Sequence, residues 1–190
     1  MNIESLVADL AAKVPGVVLA ADPSYVKSYP TMRLSSAAYL LPAASFLKER
    51  GFDYLEIITA VDWLGPVSPE GYTRGGRNPH PFSAPEAPAL VAVKNPAAAY
   101  KPAFDMLWCL ANIPARARLL LRLEIPREDP AVPSLTGLFK AADWQEREVF
   151  DLLGVRFEGH PNLKKILTPD FLQGHPLRKD YVHVKDRYDE

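Results

Sequence analysis

The charged residues with the clearest capacity for chemistry stand close together in the last third of the chain. They are Glu146, Arg147, Glu148 and Asp151. On a helix, Arg147 and Asp151 would lie one turn apart and could form an ion pair. Glu148 and Asp151 would share a face, where two carboxylates within reach of each other could carry out acid–base catalysis. A charged helix face that meets water or a partner protein accounts for the same spacing, so both interpretations stay open.

A second pattern occurs twice after this stretch: a glycine, a histidine and a proline, followed by a pair of basic residues. The two copies are Gly159-His160-Pro161 with Lys164-Lys165, and Gly174-His175-Pro176 with Arg178-Lys179. A residue before proline favours extended geometry, so each copy predicts a bend that presents its basic residues outward. A metal site from His160 and His175 is conceivable, but a third ligand is not evident. We favour basic contacts to an acidic partner surface or to partner carbonyl groups.

The single cysteine limits the cofactor chemistry that this chain could support. Cys109 stands alone in the sequence, which excludes an internal disulfide and a cysteine-ligated zinc or iron–sulfur site made by this chain only. It lies in an apolar run, which is typical of a buried, inert thiol. The sequence also lacks a glycine-rich phosphate loop, a Gly-x-Ser-x-Gly elbow and a His-Glu-x-x-His motif. An enzyme with its own cofactor site is therefore hard to support.

The overall charge and hydrophobicity exclude two further classes. A formal net charge of −1 argues against a nucleic-acid binder, which needs an excess of Lys and Arg to neutralise phosphates. No run approaches the roughly 20 apolar residues that span a bilayer, and no signal peptide is visible. We expect any membrane association to come through a partner.

The element that must position the charged cluster is a helix that begins near Ala141 or Asp143 and ends at Leu153. Asp143 is a candidate N-cap residue, and Glu146 stands at the spacing of a capping box. Gly154 fits the C-terminal end of this helix.

Two earlier helices are predicted from apolar periodicity. The first covers residues 3–14 and the second covers residues 36–50, with Ser35 or Ser36 as its cap. Pro42 lies inside the second span, so that helix either begins late or is kinked there.

Strand patterns fill much of the remaining sequence. The predicted strands are 17–20, 29–34, 54–64, 90–94, 104–112 and 117–125, and residues 135–139 form a short turn before the last helix. The strand at 54–64 is apolar on both faces, which favours a central position covered on both sides. Residues 65–88 are rich in proline and glycine and predict a long loop, which either contacts a partner or is mobile.

The C-terminal residues 155–190 show no sustained periodicity. We expect this tail to bury little against its own domain and to be either disordered or laid across another protein. Thr168 and Pro169 are typical of a single short helical turn within it. Because Arg178 and Lys179 would be exposed, we expect their removal to weaken partner binding and to leave the stability of the domain nearly unchanged.

The order of elements differs from the regular alternation of a doubly wound sheet. It favours an α+β domain over residues 1–154, with helices packed on one face of a mixed or antiparallel sheet. A long extended C-terminal tail over residues 155–190 would dock on partner subunits.

The stretch from Glu146 to Leu167 resembles the signature of one family. The matching positions are Glu-Arg-Glu at 146–148, Asp-Leu-Leu at 151–153, His160, Lys164 and Ile166-Leu167. The resemblance continues through Thr168-Pro169-Asp170 and residues 174–181, with residues 61–64 and 125–130 as earlier pieces. The family is the 30-kilodalton subunit, also called the C-type subunit, of the proton-pumping NADH:quinone oxidoreductase known as respiratory complex I.

The resemblance implies a non-catalytic structural subunit of the peripheral arm, on the cytoplasmic side of the cell membrane, that supports electron transfer to quinone coupled to proton translocation. It implies that this chain has no cofactor and that flavin and iron–sulfur clusters belong to partner subunits. The implied partners are the large subunit that helps to form the quinone site and the subunit that carries the terminal iron–sulfur cluster. The implied partner interface consists of Glu146, Arg147, Glu148, Asp151, His160, Lys164, Lys165, His175, Arg178, Lys179, Asp180 and Tyr181.

Three alternatives stay open at this point. Related membrane-bound hydrogenases and ferredoxin-linked complexes carry a corresponding subunit, so the electron donor is not assigned. A small acid–base enzyme could use Glu146, Glu148 or Asp151 with His160. An assembly or binding module outside any redox complex is the third alternative.

Overall fold

A computed structural model of the chain describes residues 3–19, 29–64 and 101–181. The helices are α1 (Ile3–Lys13), α2 (Leu40–Glu49) and α3 (Ala142–Leu153), with a short 3-10 turn at Ala37–Tyr39. The strands are β1 (Val17–Leu19), β2 (Thr31–Leu34), β3 (Tyr54–Asp62), β4 (Ala103–Asn112), β5 (Ala117–Pro126), β6 (Ala131–Pro133) and β7 (Arg156–Glu158). The predictions over residues 65–88 and 90–94 lie outside the described residues.

Five of the described strands form a sheet in the order β1-β2-β5-β4-β3, and β6 and β7 form a separate pair. Only the β2–β5 pair is parallel within this sheet, so the sheet is mixed. Alternate residues of β4, including Phe104 and Trp108, are fully buried with apolar residues from all three helices in one core. The predicted α+β fold, with helices on one face of a mixed sheet, is confirmed.

The second predicted helix begins late, which settles the question raised by Pro42. Ser36 caps the 3-10 turn through a bond from the Ala38 N–H to its hydroxyl oxygen. The α-helix then starts at Leu40, so Pro42 falls in its first turn, where a missing N–H costs no helical hydrogen bond.

Within the described residues, β3 does not have its predicted central position. In the sheet formed by the described residues β3 is the last strand, and Ile57 is 49% exposed on the face away from the helices. A bulge at Glu56 shifts the register with β4. Gln145 of α3 covers this edge: its side-chain oxygen accepts from the Ile58 N–H at 2.6 Å, and its amide donates to the Glu56 carbonyl at 3.4 Å. A helix side chain therefore takes the place of a neighbouring strand.

The domain core extends past the end of α3. Strand β7 pairs in parallel with β6, and Val155 and Phe157 are buried. The expectation that the chain buries little after residue 154 is therefore wrong for this segment.

Cys109 is buried, as predicted. Its thiol donates to the Glu56 carboxylate at 3.1 Å. Burial, together with this carboxylate, raises the pKa of Cys109 to about 12, so the thiol stays protonated and inert at neutral pH.

The helices in the described ranges lack the length and apolar character needed to cross a membrane.

We expect Gln145→Ala to lower the free energy of unfolding by about 1–2 kcal/mol, because it removes the partners of two backbone groups at the β3 edge. Urea denaturation measures this change. Glu148→Ala is the control, since Glu148 is exposed on the same helix and its loss changes stability by less than about 0.5 kcal/mol. Equal effects of the two substitutions would show that Gln145 does not protect the edge.

Candidate functional site

The residues predicted to form a partner interface gather around α3. Residues 159–181, here called the strap, fold back along this helix and are tied to it by polar contacts. The strap is irregular, as predicted for the tail, but its own domain holds it as far as Tyr181. The expectation that it needs another protein to hold it is therefore wrong for these residues, and residues 182–190 lie outside the described range.

Glu146 is fully buried and faces the segment that precedes α3. Its carboxylate accepts hydrogen bonds from the Ser134 hydroxyl and the Leu135 N–H, both at 2.6 Å. Burial raises the pKa of Glu146 above its ordinary value, although these two bonds favour the ionised form. The predicted capping box is wrong, because the N-cap residue is Ala141 and Asp143 already lies inside the first turn.

Asp151 is also fully buried and holds the middle of the strap. Its Oδ2 atom accepts three backbone N–H groups, from Ile166 at 2.9 Å, Leu167 at 2.8 Å and Thr168 at 2.9 Å. Its Oδ1 atom accepts the Thr168 hydroxyl. Burial raises the pKa of Asp151, but these bonds outweigh burial and lower the pKa to about 2. A single ionised carboxylate therefore fixes a turn of the strap.

Arg147 does not form the predicted ion pair with Asp151. Its Nε–H instead donates to the Lys164 carbonyl at 3.1 Å, and its guanidinium lies 5.0 Å from the centre of the Trp144 ring. Arg147 thus holds the strap at Lys164, just before the residues that bind Asp151.

The two histidines of the repeated pattern also hold the strap against α3. The His160 Nε2 atom lies 3.1 Å from the Asp143 carbonyl oxygen, and the His175 Nδ1 atom lies 2.9 Å from the Asp151 carbonyl oxygen. Because a carbonyl only accepts, each of these nitrogens must carry the proton. His160 also accepts the Asn162 N–H at its Nδ1 atom, so both of its ring nitrogens are engaged. This arrangement contradicts the metal site that was considered for the two rings.

The second copy of the pattern caps the C-terminal end of α3. Helix ends leave carbonyl groups without helical partners and carry partial negative charge. The Leu177 N–H donates to the Leu152 carbonyl at 3.0 Å, and the Arg178 Nε–H donates to the Leu153 carbonyl at 2.7 Å. With His175 on the carbonyl of the preceding residue, three consecutive carbonyl groups are satisfied by the strap.

A buried arginine fixes the last part of the strap. Arg127 donates to Asp62 from Nε at 3.0 Å and to Asp180 from Nη1 at 2.9 Å. Asp62 also accepts the Lys179 N–H at 2.9 Å. Burial raises the pKa of Asp62, but the bonds from Arg127 and from the N–H groups of Lys179 and Leu64 lower it overall. Arg127 likewise lowers the pKa of Asp180, so both carboxylates remain ionised.

The sequence interpretation did not assign Asp62 and Arg127 to the site. Both lie in short segments, residues 61–64 and 125–130, that carry the family resemblance. A charged residue at each of two strand ends was the available signal, but their contact depends on β3 and β5 both flanking β4.

The structure thus gives most of the predicted interface residues an internal partner. Glu146 and Asp151 are buried and cannot lie on a surface, which corrects their assignment to the partner interface. The residues with internal side-chain contacts are Glu146, Arg147, Asp151, His160, Lys165, His175, Arg178 and Asp180. Glu148, Lys164 and Lys179 are exposed, and Tyr181 is half-buried. Arg178 stabilises the helix end, so only Lys179 keeps the expected neutral effect on stability.

The positions of the carboxylates do not support the acid–base alternative. Glu146 binds the segment before α3, Asp151 binds the strap, and Glu148 is exposed to solvent. Glu146 lies close enough to His160 for their charges to interact, but Glu148 and Asp151 do not share its surroundings.

Large exposed apolar side chains on α3 and the strap were missed by the sequence interpretation. We call them the apolar rim: Trp144 (64% exposed), Leu167 (60%), Phe171 (67%) and Leu177 (56%). These four apolar side chains are exposed, whereas several polar residues of the strap bind inward, so the rim is available to meet other molecules.

Residues 34–187 match the sequence profile of a family described as the 30 kDa subunit of respiratory-chain NADH dehydrogenase. The chain is 38% identical over 146 residues to the C-type subunit of the NADH-quinone oxidoreductase of Moorella thermoacetica. That alignment covers 76% of this chain and 75% of the relative.

Two solved structures have a similar fold. One is a trypsin-resistant fragment, residues 1–134, of Nqo5, with a TM-score of 0.57 and 24% identity, covering 86% of this chain and all of the fragment. The other belongs to an archaeal membrane-bound sulfane sulfur reductase, with a TM-score of 0.61 and 21% identity, covering 98% of this chain and 95% of that one.

Two glycines in left-handed backbone conformation allow a matched test of the helix cap. Gly154 has φ +74° and a Cβ there would lie 2.5 Å from the His175 ring, whereas Gly159 has φ +81° and open space around it. We expect Gly159→Ala to cost about 1–2 kcal/mol through backbone strain alone. Gly154→Ala should cost at least about 1 kcal/mol more, because it also displaces the cap. Thermal unfolding of both variants measures the difference, and equal losses would contradict the cap.

The raised pKa of Glu146 predicts a pH dependence. The folded chain binds this proton more tightly than the unfolded chain, so stability falls as pH rises from about 4.5 through the raised pKa. Glu146→Gln lacks this fall. We therefore expect the free energy of unfolding of the variant, minus that of the wild type, to increase with pH between about 4 and 7.

Urea denaturation at several pH values tests this expectation. Glu148→Gln is the matched control, because Glu148 is exposed on the same helix. If the free energy of unfolding of Glu146→Gln minus that of the wild type stays flat or decreases with pH, the pKa of Glu146 is not raised in the folded chain.

Proposed function

We propose that this chain, which belongs to the 30 kDa subunit family of respiratory-chain NADH dehydrogenase, is a non-catalytic structural subunit of a complex I-like quinone oxidoreductase. The observation that supports the non-catalytic role is that the signature residues are engaged in contacts within the chain. Glu146, Asp151 and His160 hold the strap and the segment before α3 in place, so they are not available to a substrate.

The proposed contact surface is the apolar rim. Aromatic and leucine side chains that are exposed in a free subunit are typical of the buried centre of a protein interface. In this proposal the rim packs against the quinone-site large subunit and near the terminal-cluster subunit, while exposed Lys164 and Lys179 lie around it. The rim itself is built from α3 and the strap, so the internal contacts of the signature residues set its shape.

The remaining parts of the proposal follow from the family. Flavin and iron–sulfur clusters would belong to partner subunits, and this chain would support electron transfer to quinone coupled to proton translocation. It would sit at the cytoplasmic side of the cell membrane, attached through the complex.

A related complex with another electron donor is the second candidate. The fold similarity to the chain of an archaeal sulfane sulfur reductase complex favours keeping it, although that similarity concerns the fold alone. The partners recovered with the chain distinguish the two candidates, because an NADH-linked complex contains a flavin-bearing, NADH-oxidising subunit.

Affinity purification of the tagged chain from its native membrane tests the proposal. We expect the wild type to recover a quinone-binding large subunit. Phe171→Ser should reduce that recovery at least about fivefold, because a buried aromatic anchor often dominates an interface. Val18→Ser is the matched control, since Val18 is 61% exposed on β1, away from α3 and the strap.

Two results would overturn the proposal. One is recovery of the wild-type chain as a free monomer. The other is catalytic turnover by the isolated chain that is lost in Glu148→Gln or Asp151→Asn. Reduced recovery in Phe171→Ser and Val18→Ser alike would reject the apolar rim as the contact surface.

A further inference from the structure

We propose that the strap is a separate cooperative unit that opens from its C-terminal end in response to ionic strength, while its middle stays attached to α3. This inference concerns the chain itself and does not depend on the proposed function.

The burial pattern separates the strap from the domain. Val155 and Phe157, just before it, are buried in the core, whereas no apolar residue between Gly159 and Tyr181 is fully buried. Gly159 marks the change, with a left-handed φ of +81° and open space where a Cβ atom would lie. Since local opening is easiest where little apolar surface is buried, the strap can open without unfolding the sheet.

The attachment in the middle of the strap, here called the proximal latch, is insensitive to salt. It consists of the buried Asp151 carboxylate with the N–H groups of residues 166–168 and the Thr168 hydroxyl. Its donors are neutral and its acceptor is fully buried, so mobile ions have little charge to screen.

The attachment near the C-terminal end, here called the distal latch, depends on charges near solvent. Arg127 binds Asp180, whose side chain is 53% exposed. The Arg178 guanidinium interacts with the negative end of α3, and salt also weakens this kind of interaction. Mobile ions therefore weaken the Asp180 and Arg178 contacts, and Lys179, which lies between these two residues, leaves the buried Asp62 carboxylate when they are released.

A pivot lies between the two latches. Gly174 has a left-handed φ of +80° and precedes the residues that cap α3. Opening at this point releases residues 175–181 and exposes the carbonyl end of α3 together with the Asp62–Arg127 pair. The distal half of the strap is thus poised to close on, or to leave, the end of the helix.

Hydrogen exchange on the full chain tests this inference, at about 50 mM and about 500 mM NaCl. We expect the protection of the Leu177 and Lys179 amides to fall at least about tenfold at the higher salt concentration. The amides of residues 166–168 and of β4 should keep their protection. Asp180→Asn should reproduce the high-salt pattern at low salt, whereas Asp170→Asn, an exposed substitution in the same strap, should not.

Each contrary outcome overturns the inference. If all strap amides lose protection together with β4, the strap is not a separate unit. If residues 166–168 respond to salt as strongly as residues 177–179, the two latches are not distinct. If the Leu177 and Lys179 amides keep their protection at high salt, or show none at low salt, no salt-dependent latch exists.

Discussion

The carboxylate of Asp151 holds a negative charge away from water, and the strap supplies the donors that make this burial possible. An ionised carboxylate without partners would be far too costly in the interior of the domain. Three backbone N–H groups and one hydroxyl meet it, and they come from residues 166–168 alone. The contact serves both partners: Asp151 needs donors from the turn, and the turn uses this carboxylate as the acceptor for three of its backbone N–H groups. The path of the strap along α3 follows from this contact.

The strap also satisfies other polar groups of helix α3. Its last carbonyls would face solvent beyond Gly154, but His175, Leu177 and Arg178 satisfy three of them. Near its start, Glu146 binds the preceding segment and Gln145 covers the edge of β3. The helix therefore joins the sheet edge, the lead-in segment and the strap. Few of its polar side chains remain for chemistry, which supports the proposed structural role.

The elements could be predicted from the sequence because their signals are local. Periodicity located α1, the glycine at 154 located the end of α3, apolar runs located the long strands β4 and β5, and the position of Pro42 left only two possibilities for α2. Strand order is not local: β3 is apolar on both faces and was therefore predicted to be central, yet it is the last strand of the described sheet, where Gln145, far away in sequence, binds two of its backbone groups. Likewise the Asp62–Arg127 contact arises only when two strands flank a third. The exposed apolar residues of the strap could not be told from core residues before the path of the backbone was known.

The charged signature residues were first interpreted as an interface because charge in a sequence is usually taken to mark a surface. Glu146 and Asp151 do not follow this rule, because their carboxylates are buried and accept hydrogen bonds from backbone N–H groups. A segment that buries little apolar surface must be held by polar contacts if it is to have a fixed shape. Charged residues with many donors or acceptors meet this need better than neutral ones, since charge-assisted hydrogen bonds are roughly twice as strong. A dense polar signature beside a helix can therefore indicate a segment bound to its own chain, with the surface that meets a partner left to the apolar residues between the charges.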